Sequence, residues 1–331
     1  MSDPQRLDLS GIDLSGLQVG CIGAEPDAGW HDFADIITFE QQNRVDFDRM
    51  QDMRLNVVAT LPATMDAMIV GLGRSRDENL GRIARACRMI PAGAPLIVTG
   101  QKTAGVDSLV RQVRKILPVG EVLSKSHGKL FPIEVAEDAI PLTQPWFDKA
   151  QLSAKDGGWL TAPGMFSADS PDAGSIRLAE HFAPRISGAV ADLGAGWGWL
   201  SAQLLAAAPD VTTLSLYEAD ANALDAARRN VTDDRASFHW EDVTRLEGPA
   251  AHDWVISNPP FHHGRAAEPA LGQAFIQTAA KLLKPNGRAL FVANRQLPYE
   301  AQLSESFKKW QEIPGPGAFK LFEAERPIRK R

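Results

Sequence analysis

The stretch Asn258-Pro259-Pro260-Phe261 follows a short apolar run, Val255-Ile256-Ser257, with an amide, two prolines and an aromatic ring. Prolines hold φ near −65° and preset the loop. A side-chain amide carbonyl beside a fixed backbone carbonyl offers two acceptors at a strand end. That arrangement suits a planar amino group, as on guanine, adenine or a glutamine side chain, whose lone pair is delocalised and therefore a poor nucleophile. The Asn258 side-chain carbonyl and the Pro259 backbone carbonyl would each accept one N–H and aim the nitrogen at an electrophile. Pro260 stiffens the turn, and Phe261 gives a base or amide a face to stack on. No strong base is needed first, because the proton can leave after transfer. The electrophile would be a sulfonium methyl, and catalysis would rest on positioning and electrostatics. Asn-Pro-Pro is also compatible with a plain turn. Its place after a strand, roughly 60 residues beyond a glycine-rich loop, favours the chemical reading.

That loop is Asp192-Leu193-Gly194-Ala195-Gly196-Trp197-Gly198. Glycines between a strand and a helix let a ligand approach backbone N–H groups at the helix N-terminus. The spacing is GxGxG and not the GxGxxG of dinucleotide binders, so the loop alone is a weak signal. Asp192 is placed to meet a cationic or hydroxylated ligand. Glu218 ends the next apolar run, where an acid grips two ribose hydroxyls; the bland alternative is a solvated strand end. Asp242, after the third strand, is placed to bond an adenine amino group, or else to cap a turn.

These residues need strands to end beside one another. The second half alternates accordingly: strands over Ala189–Leu193, Val211–Tyr217, Phe238–Trp240, Trp254–Ser257 and Arg288–Ala293, with helices over Leu200–Ala208, Ala221–Asn230 and Ala270–Leu283. Such alternation predicts an α/β fold with a mostly parallel sheet, helices on both faces, and a late antiparallel strand from Phe319 to Ala324. The first half carries a fainter copy. Val19–Pro26 resembles Val190–Trp197, Glu40 aligns with Glu218, and Asp66–Gln101 follows the plan of Asp253–Gln296. We read an internal duplication. The copies differ where chemistry would sit: Gly71-Leu72-Gly73-Arg74 stands for Asn-Pro-Pro-Phe, and Glu25-Pro26 spoils the glycine loop. One active and one degenerate half is the simplest account, with Ile133–Gly158 as a linker.

The bulk numbers set bounds. The chain has 331 residues, 44% hydrophobic and 23% charged, with a net charge of −6, enough for two ordinary domains. The acidic balance argues against nonspecific coating of nucleic acid but leaves room for a local basic face. Arg74, Arg76, Arg82, Arg85 and Arg88, then Lys102, Arg111, Arg114, Lys115, Lys125 and Lys129, are candidates for an RNA-facing patch or a solvated helix face. No apolar run approaches the roughly 18 residues that span a bilayer, and no secretory signal is seen, so a cytoplasmic protein without a membrane partner is expected. Cys21 and Cys87 read as buried thiols, and no metal site is expected; His262 and His263 lack further ligands.

Taken together, DLGAGWGW, Glu218, Asp242 and NPPF resemble class I S-adenosylmethionine-dependent methyltransferases acting on exocyclic amines. Trp159–Ser167, Asp172-Ala173-Gly174-Ser175, SNPPFHHG and Val292–Tyr299 are more closely similar to the bacterial ribosomal RNA small-subunit guanine-N2 methyltransferase family. The resemblance implies two tandem Rossmann-like methyltransferase domains: a degenerate copy over 1–140, a candidate RNA-binding half, and a catalytic domain over 155–331. It implies S-adenosyl-L-methionine as cofactor, with Gly194, Ala195 and Gly196 along its methionine part, Glu218 on the ribose and Asp242 on the adenine. Asn258 would orient the guanine amine, Phe261 would stack the base, and Phe166 and Ser167 would cover the site. The implied partner is ribosomal RNA, most naturally 16S rRNA, or the small ribosomal subunit. Oligomeric state stays open; a monomer fits two fused halves. Two alternatives remain: a protein glutamine-N5 methyltransferase, and an RNA-binding assembly factor with an inactive core.

Overall fold

The computed structural model describes residues 14–125, 128–182, 185–260, 262–263, 266–267, 269–315 and 317–329. It divides into two compact units: Met1–Leu152 with Ala162–Gly164, and Ser153–Thr161 with Met165–Arg331.

The first unit is built on strands β1 (Val19–Ile22), β2 (Ile37–Glu40), β3 (Val57–Val58), β4 (Ala67–Gly71), β5 (Pro95–Gln101), β6 (Leu123–Lys125) and β7 (Gly128–Glu134). Helices α1 (Arg44–Asp52), α2 (Arg76–Met89), α3 (Val106–Val113) and α4 (Ala139–Lys149) accompany them. The strands form one sheet in the order β3-β2-β1-β4-β5-β7-β6, parallel through β5 and antiparallel at β7 and β6. β4 is buried along its whole length, which is why it reads as a continuous apolar run. The Ile133–Gly158 stretch, expected to be a linker, instead contains α4. Pro145 lies inside that helix, and Arg88 of α2 fastens it through Gln144 Oε1 at 2.6 Å and stacks over Phe147 at 4.3 Å. The prolines made the segment look unstructured; tertiary contacts override them.

The second unit opens with a small hairpin, β8 (Ser153–Ala154) and β9 (Leu160–Thr161), and helix α5 (Ala173–Ala179). Then come β10 (Gly188–Leu193), α6 (Trp199–Ala207), β11 (Val211–Glu218), α7 (Ala221–Asn230), β12 (Ala236–Trp240) and β13 (His252–Ser257). A short pair, β14 (His262–His263) and β15 (Ala266–Ala267), precedes α8 (Pro269–Leu282), β16 (Leu283–Asn294), α9 (Glu300–Ser306), β17 (Phe307–Ile313) and β18 (Phe319–Pro327). The main sheet runs β12-β11-β10-β13-β16-β18-β17, the same permutation as in the first unit, and only β18 and β17 are antiparallel.

The α/β, mostly parallel architecture is as expected, with two differences. The antiparallel part has two strands, because β17 (FKKWQEI) joins as a half-exposed edge; its charges hid it, and such charges blunt an edge. β16 also begins earlier than expected. His252 pairs with Leu283 and Trp254 with Arg288, so Pro285-Asn286-Gly287 forms a bulge within the strand assignment.

α8 packs on its sheet through Phe275, Ile276, Ala279 and Leu282. Gly272 on this helix faces the fully buried ring of Tyr299, and a Cβ there would collide with Tyr299 Oη. Gly272→Ala should therefore lower stability by about 1–3 kcal/mol, an overpacking cost. Denaturant unfolding of the variant would read it, and an unchanged midpoint would contradict the close packing.

Candidate functional site

In the second sheet the chain leaves β10 toward β11 on one side, and leaves β13 toward β16 on the other. β10 and β13 are parallel neighbours, with Asp192 opposite Ile256. Their carboxyl ends are thus a topological switch point, where α/β sheets open a crevice. The loops there are the two singled out by sequence, and Ser257 Oγ donates to Leu193 O at 2.6 Å to tie them.

The glycine loop follows β10. Gly194, Gly196 and Gly198 have φ of 76°, 55° and 88°, a region that L side chains disfavour. A Cβ on Gly198 would lie 2.8 Å from Val231 Cγ2, so this glycine lets the loop meet α7; one on Gly194 would lie 3.1 Å from Phe275 Cε1. Above Gly196 a Cβ would meet no atom within 4 Å. Ala195 is buried in the core and accepts the Gly198 N–H on its backbone carbonyl. Trp197, also buried, donates from Nε1 to Phe166 O at 3.0 Å, while Asn230 donates to Trp197 O at 2.8 Å. Trp197 is therefore a packing residue, and it brings the Met165–Ser167 segment against the loop. Phe166 is 59% exposed there, and Ser167 adopts φ 50°.

The acids sit around this loop. Asp192 is fully buried; Oδ2 accepts from Ser201 Oγ at 2.7 Å, and Oδ1 has no partner among the described residues. Burial pushes its pKa up to about 7, with the Ser201 bond opposing and the charge of Glu218 adding. Glu218, at the end of β11, accepts from Gly196 N and Asp220 N, each at 2.8 Å. Burial pushes its pKa up to about 7 as well, with those backbone bonds opposing. The Gly196 bond couples this acid to the glycine loop. Asp242 is buried and does cap its turn: Oδ1 takes the Thr244 N–H at 2.8 Å and the Thr244 hydroxyl at 2.7 Å.

Asn258, Pro259 and Pro260 follow β13. Pro259 is buried and Pro260 exposed, with Pro260 Cδ 3.9 Å from a Cβ built on Gly194, so the two loops touch. Asn258 is half-buried, and its amide nitrogen donates to Asp172 Oδ2 at 2.8 Å and to Ser175 Oγ at 2.9 Å. Phe261, Gly264 and Arg265 lie outside the described residues. Sequence reasoning assigned no role to Asp172 or Ser175 and used them only within the Asp172-Ala173-Gly174-Ser175 resemblance; Asp172 also reads as a helix cap three residues before Ser175. Ser201 and Phe275 were also missed.

The residues fit a nucleoside-bearing cationic cofactor. A buried, unpartnered carboxylate oxygen, open space above a left-handed glycine and a second acid at the neighbouring strand end form its cradle. Among the described residues no group of three or more His, Cys, Asp or Glu could hold a metal ion, and no helix is long and apolar enough to cross a membrane.

The corresponding place in the first unit is filled by the protein itself. Gly23, with φ 74°, matches Gly194, but a Cβ on it would lie 2.5 Å from Arg82 Nη1. Glu40, the counterpart of Glu218, is buried and takes both Arg85 guanidinium nitrogens, at 2.5 and 2.7 Å, plus the Leu61 N–H at 2.8 Å. Three arginines of the candidate basic cluster are thus turned inward: Arg82 on Glu78, Arg85 on Glu40 and Arg88 on α4. Lys102, Arg111, Arg114 and Lys115 are exposed.

Comparison with known proteins places the chain in context. The family described as Methyltransferase small domain matches residues 157–323. Ribosomal RNA small subunit methyltransferase C of Salmonella arizonae is 30% identical over 264 residues, 78% of this chain and 75% of that protein. The protein of the same name from Cronobacter sakazakii is 29% identical over 269 residues, 80% and 77%. Among solved structures, a T. thermophilus 16S rRNA N2 G1207 methyltransferase in complex with AdoMet and guanosine superposes with a TM-score of 0.76. It covers 93% of this chain and 88% of that one at 24% identity, a likeness of fold.

The raised acids fix a pH dependence. A carboxyl whose folded pKa exceeds its unfolded value gives stability that is complete below about 4 and lost as pH rises through about 7. Asp192→Asn cannot ionise, so the stability difference, wild type minus variant, should fall across that window in the ligand-free protein. Denaturant midpoints from pH 4 to 8 would show it; a pH-independent difference would contradict the burial of the charge.

Proposed function

The chain belongs to the ribosomal RNA small subunit methyltransferase C family, and we propose that its second unit methylates the exocyclic N2 amine of a guanosine in 16S rRNA. S-adenosylmethionine, when bound, supplies an electrophilic methyl on a sulfonium. The observation that carries the reading is the Asn258 amide held at the switch point with its nitrogen already engaged, beside the glycine loop.

In this reading Gly194, Ala195 and Gly196 line the methionine part of the cofactor, with the free Asp192 oxygen able to take an N–H there. Glu218 faces the ribose. Its orientation is locked by two backbone donors, yet each carboxylate oxygen keeps acceptor capacity. Asp242 uses Oδ1 for its turn, and Oδ2, which faces the Arg245 guanidinium at 3.9 Å, is proposed to meet the adenine amine. Asn258 Oδ1 and the Pro259 carbonyl each accept one N–H of the guanine amine. They would hold the nitrogen toward the glycine loop, where the methyl donor would sit, and favour localisation of its lone pair. With the cofactor bound, transfer would form the N–C bond as the C–S bond breaks, the electron pair leaving with sulfur and the amine then releasing one proton to solvent. Phe261 is proposed to stack the base, and Phe166, exposed beside the loop, to cover it.

The first unit is read as a degenerate copy that supports RNA binding through Lys102, Arg111, Arg114 and Lys115. Its own cradle is closed by Arg82 and Arg85, so one cofactor should bind per chain. The substrate is taken to be 16S rRNA, free or within the small subunit.

Incubation with radiolabelled S-adenosylmethionine and unmodified small subunits, large subunits, naked rRNA and total protein tests the reading. Label should appear in 16S rRNA as N2-methylguanosine. Asn258→Ala should lower kcat by about 10²–10³ with cofactor affinity unchanged. Label in protein would shift the assignment to a glutamine amide, and no transfer with intact cofactor binding would point to an assembly factor.

A further inference from the structure

Resting on that reading, we propose that Asp172 and Ser175 are positioning residues that fix the Asn258 amide with its carbonyl toward the substrate amine. A primary amide has two orientations of nearly equal shape, related by a half-turn about its last bond. Only one serves here. With the carbonyl outward, Asn258 accepts from the guanine amine; with the nitrogen outward, two donors would face each other.

The neighbours of Asn258 decide between them. Asp172 caps α5, its Oδ2 accepting the Ser175 N–H at 2.9 Å, so the carboxylate is anchored before it meets the amide. An ionised carboxylate can only accept. The group of Asn258 lying 2.8 Å from Asp172 Oδ2 must therefore be the nitrogen, since a carbonyl oxygen there would be repelled. Ser175 Oγ, 2.9 Å away, takes the second amide hydrogen. The nitrogen has two hydrogens and both are used, so the remaining hydrogen-bonding capacity is on Oδ1. No donor among the described residues occupies it. Gly174 protects the arrangement: a Cβ on it would lie 2.9 Å from Asp172 Oδ2 and 3.1 Å from Phe319 Cε1, pushing the carboxylate out of place. The link spans 86 residues of sequence, tying a one-turn cap to the loop after β13.

Asp172→Asn separates orientation from folding, because asparagine caps a helix about as well as aspartate. It removes the acceptor-only carboxylate and lets either amide orientation pair. Single-turnover and steady-state methylation of unmodified small subunits would be measured, with the unfolding midpoint and S-adenosylmethionine affinity beside them. The expected result is a loss in kcat of about 10–100-fold, the weight of one charge-assisted hydrogen bond, with KM, cofactor affinity and midpoint unchanged. Ser175→Ala should lose a few-fold, roughly one neutral bond, and Ser175→Thr should restore it. In an Asn258→Ala background, Asp172→Asn should cost nothing further. An unchanged kcat in Asp172→Asn, or the same fold-loss with Asn258 already removed, would overturn the proposal. Should Asp172→Asn fail to fold, the Ser175→Ala and Ser175→Thr pair decides by the same criterion. Absence of N2-methylguanosine with the wild-type protein would instead overturn the functional reading beneath it.

Discussion

The parallel pairing of β10 with β13 is the constraint from which the site follows. It brings Leu193 and Ser257, 64 residues apart in sequence, into hydrogen-bond contact and forces their following loops to emerge side by side. Both strands are nearly devoid of exposed side chains, so their register is pinned by burial on both faces. Because the crossovers diverge, nothing in the sheet covers the gap between the loops. A glycine-rich backbone then faces an amide across the crevice, and neither loop need carry a strong acid or base to do chemistry there.

The first unit closes the corresponding crevice with its own side chains. Its sheet has the same strand permutation, its first loop keeps a left-handed glycine at Gly23, and its second strand keeps a terminal glutamate. Both units share this frame although their loops differ. What differs is the occupant. In the second unit Glu218 is turned by backbone N–H groups and has no cationic partner among the described residues, which is why burial can lift its pKa. In the first, Arg85 neutralises Glu40 in a two-pronged pair and Arg82 lies against Gly23. A bound cation is exchanged for a built-in one. The cradle becomes part of the core.

How far the sequence discloses this depends on where the determining contacts lie. β10 and β13 are legible because strands buried on both faces are largely apolar, β11 through its buried Val211, Leu214 and Leu216, and α7 spans the residues its pattern predicts. The glycine loop and Glu218 are legible because their geometry is local: positive φ calls for glycine, and a strand-end acid sits one loop away. β17 is not legible, since an edge strand tolerates charge, and neither is α4, which is held by Arg88 from a distant helix. Ser201 beneath Asp192 and Asp172 behind Asn258 belong to the same class. Their partners are fixed only when elements dock, so no spacing announces them.

The residue type at 258 makes sense only in that tertiary setting. The position donates toward Asp172 and Ser175 and, on the proposed reading, accepts from the opposite side, and a primary amide is the smallest side chain that does both at once. A carboxylate would accept well from an amine, but it would stand about 3 Å from Asp172, where two like charges cannot both be ionised without cost. A serine could take either role but would be too short to bridge from its backbone to both partners and a substrate. The amide also carries no net charge, and it meets the Asp172 carboxylate through its own nitrogen. Asp192 and Glu218 lie on the side of the crevice suited to a cationic cofactor, and on the other side the amide stands between Asp172 and the place proposed for the acceptor nitrogen. On the proposed reading an incoming amine is held by neutral acceptors that favour localisation of its lone pair.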